Sequence, residues 1–130
     1  MVVHTTTDAL LIKRTDHRDF WQSVTGSLEW GECAHQAALR ELQEETGIAG
    51  IELRDTGILR SYAILPEWRK RYPPNTQRNK EHLFYCRLEK QPEICIDPAE
   101  HSELVWMGFK DAQQKAFSWS NKIALSMLTA

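Results

Sequence analysis

The chain has 130 residues, 42% of them hydrophobic, and a formal net charge of −2 from 16 Lys and Arg against 18 Asp and Glu. That length predicts a single domain over residues 1–130 with enough apolar material for a core, and that charge argues against bulk electrostatic binding to nucleic acid or to an anionic membrane. Any affinity for phosphate must then be local or carried by a metal ion.

Cys33, Cys86 and Cys95 are an odd number with no C-x-x-C spacing. They read as free thiols in a reducing compartment and argue against zinc. No apolar run approaches membrane-spanning length, and the N-terminus lacks the layout of a secretory signal. The expected compartment is the cytoplasm.

In chain order, Leu10–Arg14 follows the turn-like Thr7-Asp8 and predicts a strand, and Phe20–Val24 is a short extended piece leading to Gly26. Gly31 breaks the loop before a helix whose buried stripe is Ala34, Ala37, Ala38 and Leu42. Gly47 stands where a left-handed helix cap belongs. Ile51–Ala63 is β-rich in part, with Gly57 as a bulge or break. Pro66, Pro73 and Pro74 mark a loop from about Pro66 to Gln77. His82–Leu88 and Leu104–Phe109 predict strands, and Ala112–Phe117 and Asn121–Leu128 predict helices. Strands before, between and after helices imply a mixed sheet with helices on both faces.

The stretch from Gly26 to Ile48, GSLEWGECAHQAALRELQEETGI, carries the chemistry. Its helix bears Glu41, Glu44 and Glu45 within about one turn, with Arg40 beside them. Solubility alone would be served by interleaved lysines. Clustered carboxylates are tolerated where a divalent cation neutralises them, and hard oxygen ligands suit Mg²⁺ or Mn²⁺. Glu41 and Glu45, roughly 40° apart around the helix axis, are the leading metal ligands, with Glu44 third. Arg40 can hold a neighbouring glutamate in place. Glu32, at the helix start, suits the exposed N–H groups there, either as a capping residue or as part of the site.

Gly26, Glu32, Arg40, Glu41, Leu42, Glu44, Glu45, Gly47 and Ile48 fit the pattern G-x5-E-x7-R-E-U-x-E-E-x-G-U, with U aliphatic, at every fixed position. The segment resembles the signature of the Nudix hydrolases. The resemblance implies an α/β/α sandwich, a mixed sheet between helices with the glutamate helix packed on it. It also implies metal-dependent hydrolysis of a phosphoanhydride. Little precedes His4, so the family's first strand is expected to be truncated or the sheet to start differently. The family often adds a carboxylate from outside the helix. Glu100 in PAEHSE is the choice here, with His101 and Glu103 as competitors.

The lead-in DFWQSVTGS (Asp19–Ser27) resembles that of the dihydroneopterin triphosphate pyrophosphatases of bacterial folate synthesis. Arg71–Cys86 and FSWSN (Phe117–Asn121) fit the same subfamily, so the likeness runs from Leu10 to about Asn121. It implies dihydroneopterin triphosphate as substrate and the pterin monophosphate and pyrophosphate as products. It further implies that Glu41, Glu45 and Glu100 hold the metal, and that Arg14, Thr25 and Ser118 contact substrate. Read from the residues alone, Arg14 offers a planar fork for phosphate, and Trp21, Trp68, Tyr72 and Trp119 offer flat surfaces for a pterin, though each by itself reads more readily as core. Trp68–Tyr72 interleaves aromatic and basic residues in a manner that suits RNA. One short patch under a net negative charge makes a substrate-facing loop the better reading.

Two other functions stand beside this one. A general nucleoside triphosphate or dinucleoside polyphosphate pyrophosphohydrolase is disfavoured by the WQSVTGS lead-in. A non-catalytic nucleotide-binding regulator is disfavoured by the four intact glutamates.

Overall fold

A computed structural model of the chain describes residues 1–17, 19–25, 31–64, 66 and 78–129. Gly26, Trp68, Tyr72, Pro73 and Pro74, and most of the expected loop from Pro66 to Gln77, lie outside the described residues.

Among the described residues, six strands form one mixed sheet: β1 (Val2–His4), β2 (Asp8–Arg14), β3 (Trp21–Gln22), β4 (Arg54–Ala63), β5 (Arg78–Arg87) and β6 (His101–Gly108). β2 is the hub. β6 runs antiparallel along its whole length, from Asp8↔Gly108 to Arg14↔His101. The other edge of β2 is shared, with β1 at Ala9 and β3 at Ile12 and Lys13. β1 then pairs in parallel with β5, and β5 antiparallel with β4. The expected short first strand is three residues long, and it sits inside the sheet with both neighbours hydrogen-bonded.

Strand alternation sends side chains to two faces. Val2, Ala9, Leu11, Leu83 and Tyr85 face one core, which Ala112, Ala116, Ala124 and Leu125 complete from α2 (Phe109–Lys115) and α3 (Trp119–Ser126). Val3, Leu10, Ile12 and Cys86 face the other, closed by Leu42 of α1 (Ala34–Thr46). The α/β/α sandwich follows directly from that alternation.

Gly57 is the break in β4. Its φ of 71° is left-handed, and the β4–β5 register shifts between Asp55 and Leu59. Gly47 caps α1 with φ 80°, its N–H donating to Gln43 O at 2.9 Å. Two expectations need correction. The buried face of α1 is Ala37, Leu42, Glu45 and Thr46, with Ala34 and Ala38 only half-buried. The second expected helix, Ala112–Phe117, begins earlier, at Phe109, because β6 runs from His101 only to Gly108.

Candidate active site

α1 is positioned by its first turn and its apolar face. Cys33 is the N-cap residue, in extended conformation, and its N–H donates to Gln36 Oε1 at 3.0 Å. Glu32 is therefore not the cap. Its carboxylate turns instead to Arg40, taking Nε at 2.8 Å and Nη2 at 3.0 Å. Arg40 Nη1 also donates to Glu41 at 2.7 Å and to Glu44 at 3.1 Å. One guanidinium fork thus orients three carboxylates, a geometry that lysine's single ammonium cannot copy.

The last turn does something unusual. Leu42 and Thr46 are buried as core residues should be, and Glu45, on the same face, is buried with them at 5% exposure. Its Oε2 accepts the Thr25 N–H at 3.2 Å. Burial, and then the charge of Glu41, push the Glu45 carboxyl up to about 8, although the Thr25 hydrogen bond opposes the rise. Burial also raises Glu41, against the pull of Arg40. Both carboxylates are held in a setting that disfavours their charge, and a bound cation reverses that preference.

Register brings the second half of the site to them. In the turn before β6, the Glu100 and His101 N–H groups both donate to Asp97 O, at 3.0 and 2.9 Å. Thr15 then pins Glu100 O by its N–H at 3.0 Å and its hydroxyl at 3.2 Å. A shift in the β2–β6 ladder between Lys13 and Arg14 sets Arg14 opposite His101. The result is that Glu45, Glu100 and His101 offer ligand atoms all within 4.8 Å of one another. Glu100 also acts on Glu41 electrostatically. Glu103 points to a different task, a 3.3 Å surface pair with Lys13. The donor set fits a divalent ion: carboxylate oxygens and one imidazole, with a buried ring nitrogen, His101 Nδ1, that has no hydrogen-bond partner.

Arg14 lies at the rim of this cluster. Asp16 holds its fork by Nε at 2.7 Å and Nη2 at 2.6 Å, and the charges of Glu45 and Glu100 both act on it. Its guanidinium also lies 5.8 Å from the Phe20 ring centroid. Phe20 stacks on Phe117 at 4.2 Å between centroids.

The two diagnostic stretches far apart in sequence meet here. Ser23 N–H donates to Asn121 Oδ1 at 2.8 Å, and Asn121 Nδ2 donates to Ser23 Oγ at 2.9 Å. Phe117 N–H donates to Trp21 O at 2.9 Å. Ser118 is the N-cap of α3, its Oγ accepting Asn121 N–H at 3.2 Å. Trp119 begins the helix half-exposed, whereas Trp21 lies under Lys115, 4.6 Å from its ring centroid. Asp16, Gln22, Ser23 and Asn121 are the supporting residues that reading the sequence did not find. Asn121, three residues after a helix-capping Ser118, is the one with a local signal.

The NUDIX domain family model matches residues 1–127. The chain is 38% identical over 120 residues to the dihydroneopterin triphosphate diphosphatase of Escherichia coli K12, covering 89% of this chain and 79% of that protein. It is 36% identical over 131 residues to the Haemophilus influenzae protein of the same name, covering 96% and 82%. The fold superposes on the structure of the E. coli dihydroneopterin triphosphate pyrophosphohydrolase with a TM-score of 0.89 at 35% identity, over 97% of this chain and 90% of that one.

Proposed function

We propose that this chain, which belongs to the Nudix family, hydrolyses dihydroneopterin triphosphate to the pterin monophosphate and pyrophosphate, a step of folate biosynthesis, as a single domain. The substrate is that of the relatives 36–38% identical to it. The observation that carries the reading is the convergence of buried Glu45 with Glu100 and His101, beside Glu41 and the Arg40 clamp. The cytoplasm suits exposed Cys33 and Cys95 as thiols.

Glu41, Glu45 and Glu100 would hold the divalent ion, Mg²⁺ or else Mn²⁺. When bound, it supplies positive charge against the phosphate oxygens. The chain's own residues do the rest. Arg40 fixes the rotamers of Glu32, Glu41 and Glu44. Arg14, pre-set by Asp16, presents its guanidinium to the triphosphate. Thr25 closes the same side, and its N–H steadies Glu45. Ser118 and Trp119 bound the far side, where the indole offers a stacking face to the pterin.

A pyrophosphate-release panel of dihydroneopterin triphosphate, the common dNTPs and Ap4A tests the substrate. The expected result is the highest kcat/KM on the pterin. Equal rates on all would leave only general pyrophosphohydrolase activity. Trp119→Ala sharpens the test: it should cost roughly 1–3 kcal/mol on the pterin substrate, a stacking-sized loss, and less on a dNTP. Equal losses would assign the indole to packing.

A further inference from the structure

Among the described residues, two buried side-chain polar atoms have no hydrogen-bond partner, Arg60 Nε and His101 Nδ1. Arg60 lies on the edge strand β4. His101 is only 3% exposed, and one of its ring nitrogens is within 4.8 Å of carboxylate oxygens of both Glu45 and Glu100. A buried polar atom without a partner is costly, so one on a ring that lies beside two carboxylates calls for a ligand.

The other ring nitrogen, Nε2, is 3.4 Å from Nε2 of Gln22 on β3. Carboxamide orientation and imidazole tautomer are coupled choices. With Gln22 Oε1 turned to the ring, His101 Nε2 carries the proton and donates it. Nδ1 then keeps a lone pair. A histidine whose second nitrogen donates to an oxygen is the usual arrangement at metal centres.

We infer that His101 is a nitrogen ligand, through Nδ1, to the same divalent ion that Glu45 and Glu100 hold, and that Gln22 is the positioning residue that fixes its tautomer. The inference rests on the metal-binding reading above and adds to it a selectivity. An all-oxygen set suits Mg²⁺, which keeps its water reluctantly exchanged. An imidazole in the set favours Mn²⁺ and, more strongly, Co²⁺. Ligand atoms within 4.8 Å are closed by a metal with bonds of about 2.0–2.6 Å through small side-chain adjustments.

Co²⁺ and Mg²⁺ titrations of the purified protein test this, read by visible absorption for Co²⁺ and by calorimetry for Mg²⁺. His101→Gln should weaken Co²⁺ binding about 10-fold or more, leave Mg²⁺ within about 3-fold, and shift the Co²⁺ absorption bands. Gln22→Met, which leaves the ring in place, should weaken Co²⁺ by about 10-fold or more, as loss of an orienting partner does. Co²⁺ bound equally by wild type and His101→Gln, with the same bands, would overturn the role of His101 while the carboxylate site stands. No Co²⁺ or Mg²⁺ binding by wild type would overturn both. Should His101→Gln not fold, NMR of ring-¹⁵N-histidine in the wild type decides: Zn²⁺ shifts the His101 Nδ1 resonance, or an unmoved resonance sinks the proposal.

Discussion

The last turn of α1 and the first turn of α3 each bury polar side chains, Glu45 in one and Ser120 and Asn121 in the other, and they are built on opposite principles. At α3, Asn121 and Ser23 satisfy each other, and Ser118 caps the helix. At α1, Glu45 is buried with the Thr25 N–H as its hydrogen-bond donor and with Glu41 and Glu100 acting on it, and its carboxyl is pushed up to about 8. The first arrangement stabilises the fold. The second costs stability: the Met1 ammonium offsets the buried charge only in part, and a bound cation would offset the rest. Unbalanced burial marks the chemistry, and balanced burial marks the scaffold that holds it.

Glu45→Gln breaks this comparison most severely. Shape is kept and a charged ligand is lost, so activity at saturating Mg²⁺ should fall by about 10²-fold or more. Stability should move the other way. A carboxyl whose folded pKa is raised from the ordinary 4.5 to about 8 binds its proton more tightly in the folded state. Its contribution is therefore greatest below about pH 4.5 and is lost as pH rises through about 8. In EDTA, wild type should lose stability across that window, and the variant should lose less of it. Wild-type-like turnover by Glu45→Gln, or a flat pH profile of melting for wild type, would contradict the reading.

Arg40→Lys comes next. It removes a fork that hydrogen-bonds the carboxylates of Glu32, Glu41 and Glu44. The expected loss is about 10–100-fold in activity, with more Mg²⁺ needed for half-maximal rate. An unchanged Mg²⁺ requirement would show that the glutamates keep their places without the clamp.

How much of this could be read beforehand depends on whether the partners are near in sequence. The glutamates, Arg40, Gly47 and Leu42 lie on one helix, so a fixed period sets their faces. Gly57 announced its bulge because only glycine takes that φ cheaply. Glu100 is chosen over His101 and Glu103 from the resemblance, because strand register, which the local pattern does not reveal, decides among them. The regular ladder pairs Glu103 with Lys13, and the shift between Lys13 and Arg14, with the turn at Asp97, brings Glu100 and His101 to Glu45. Alternation alone does not predict a shifted ladder. Gln22 with His101, and Ser23 with Asn121, are 79 and 98 residues apart, and nothing local points from one to the other. Burial of Glu45 was hidden for a different reason: a carboxylate on the apolar face of a helix contradicts the amphipathic pattern that placed the rest.

Asn121→Ala tests the scaffold side. It leaves the buried Ser23 N–H and hydroxyl without their partner, a loss of about 2 kcal/mol and roughly 5–10 °C in Tm. The loss should be the same in EDTA and in Mg²⁺, since no carboxylate is touched. A melting shift that appears only with the metal present would tie this network to the ion and dissolve the contrast between the two turns.

The smallest effect belongs to Ser118, which falls on the boundary between the two regions. Its hydroxyl caps α3, and its resemblance-based role is contact with substrate. As a cap, Ser118→Ala should cost about 1 kcal/mol, and Ser118→Thr should restore most of it. As a substrate contact, the same Ala change should raise KM for dihydroneopterin triphosphate a few-fold. The Oγ already accepts the Asn121 N–H at 3.2 Å, but a hydroxyl has a second lone pair and a proton to offer, so both roles fit in one side chain. A stability loss with KM untouched would put Ser118 wholly on the scaffold side. Half-exposed Trp119 would then be the residue of this turn left to face the pterin.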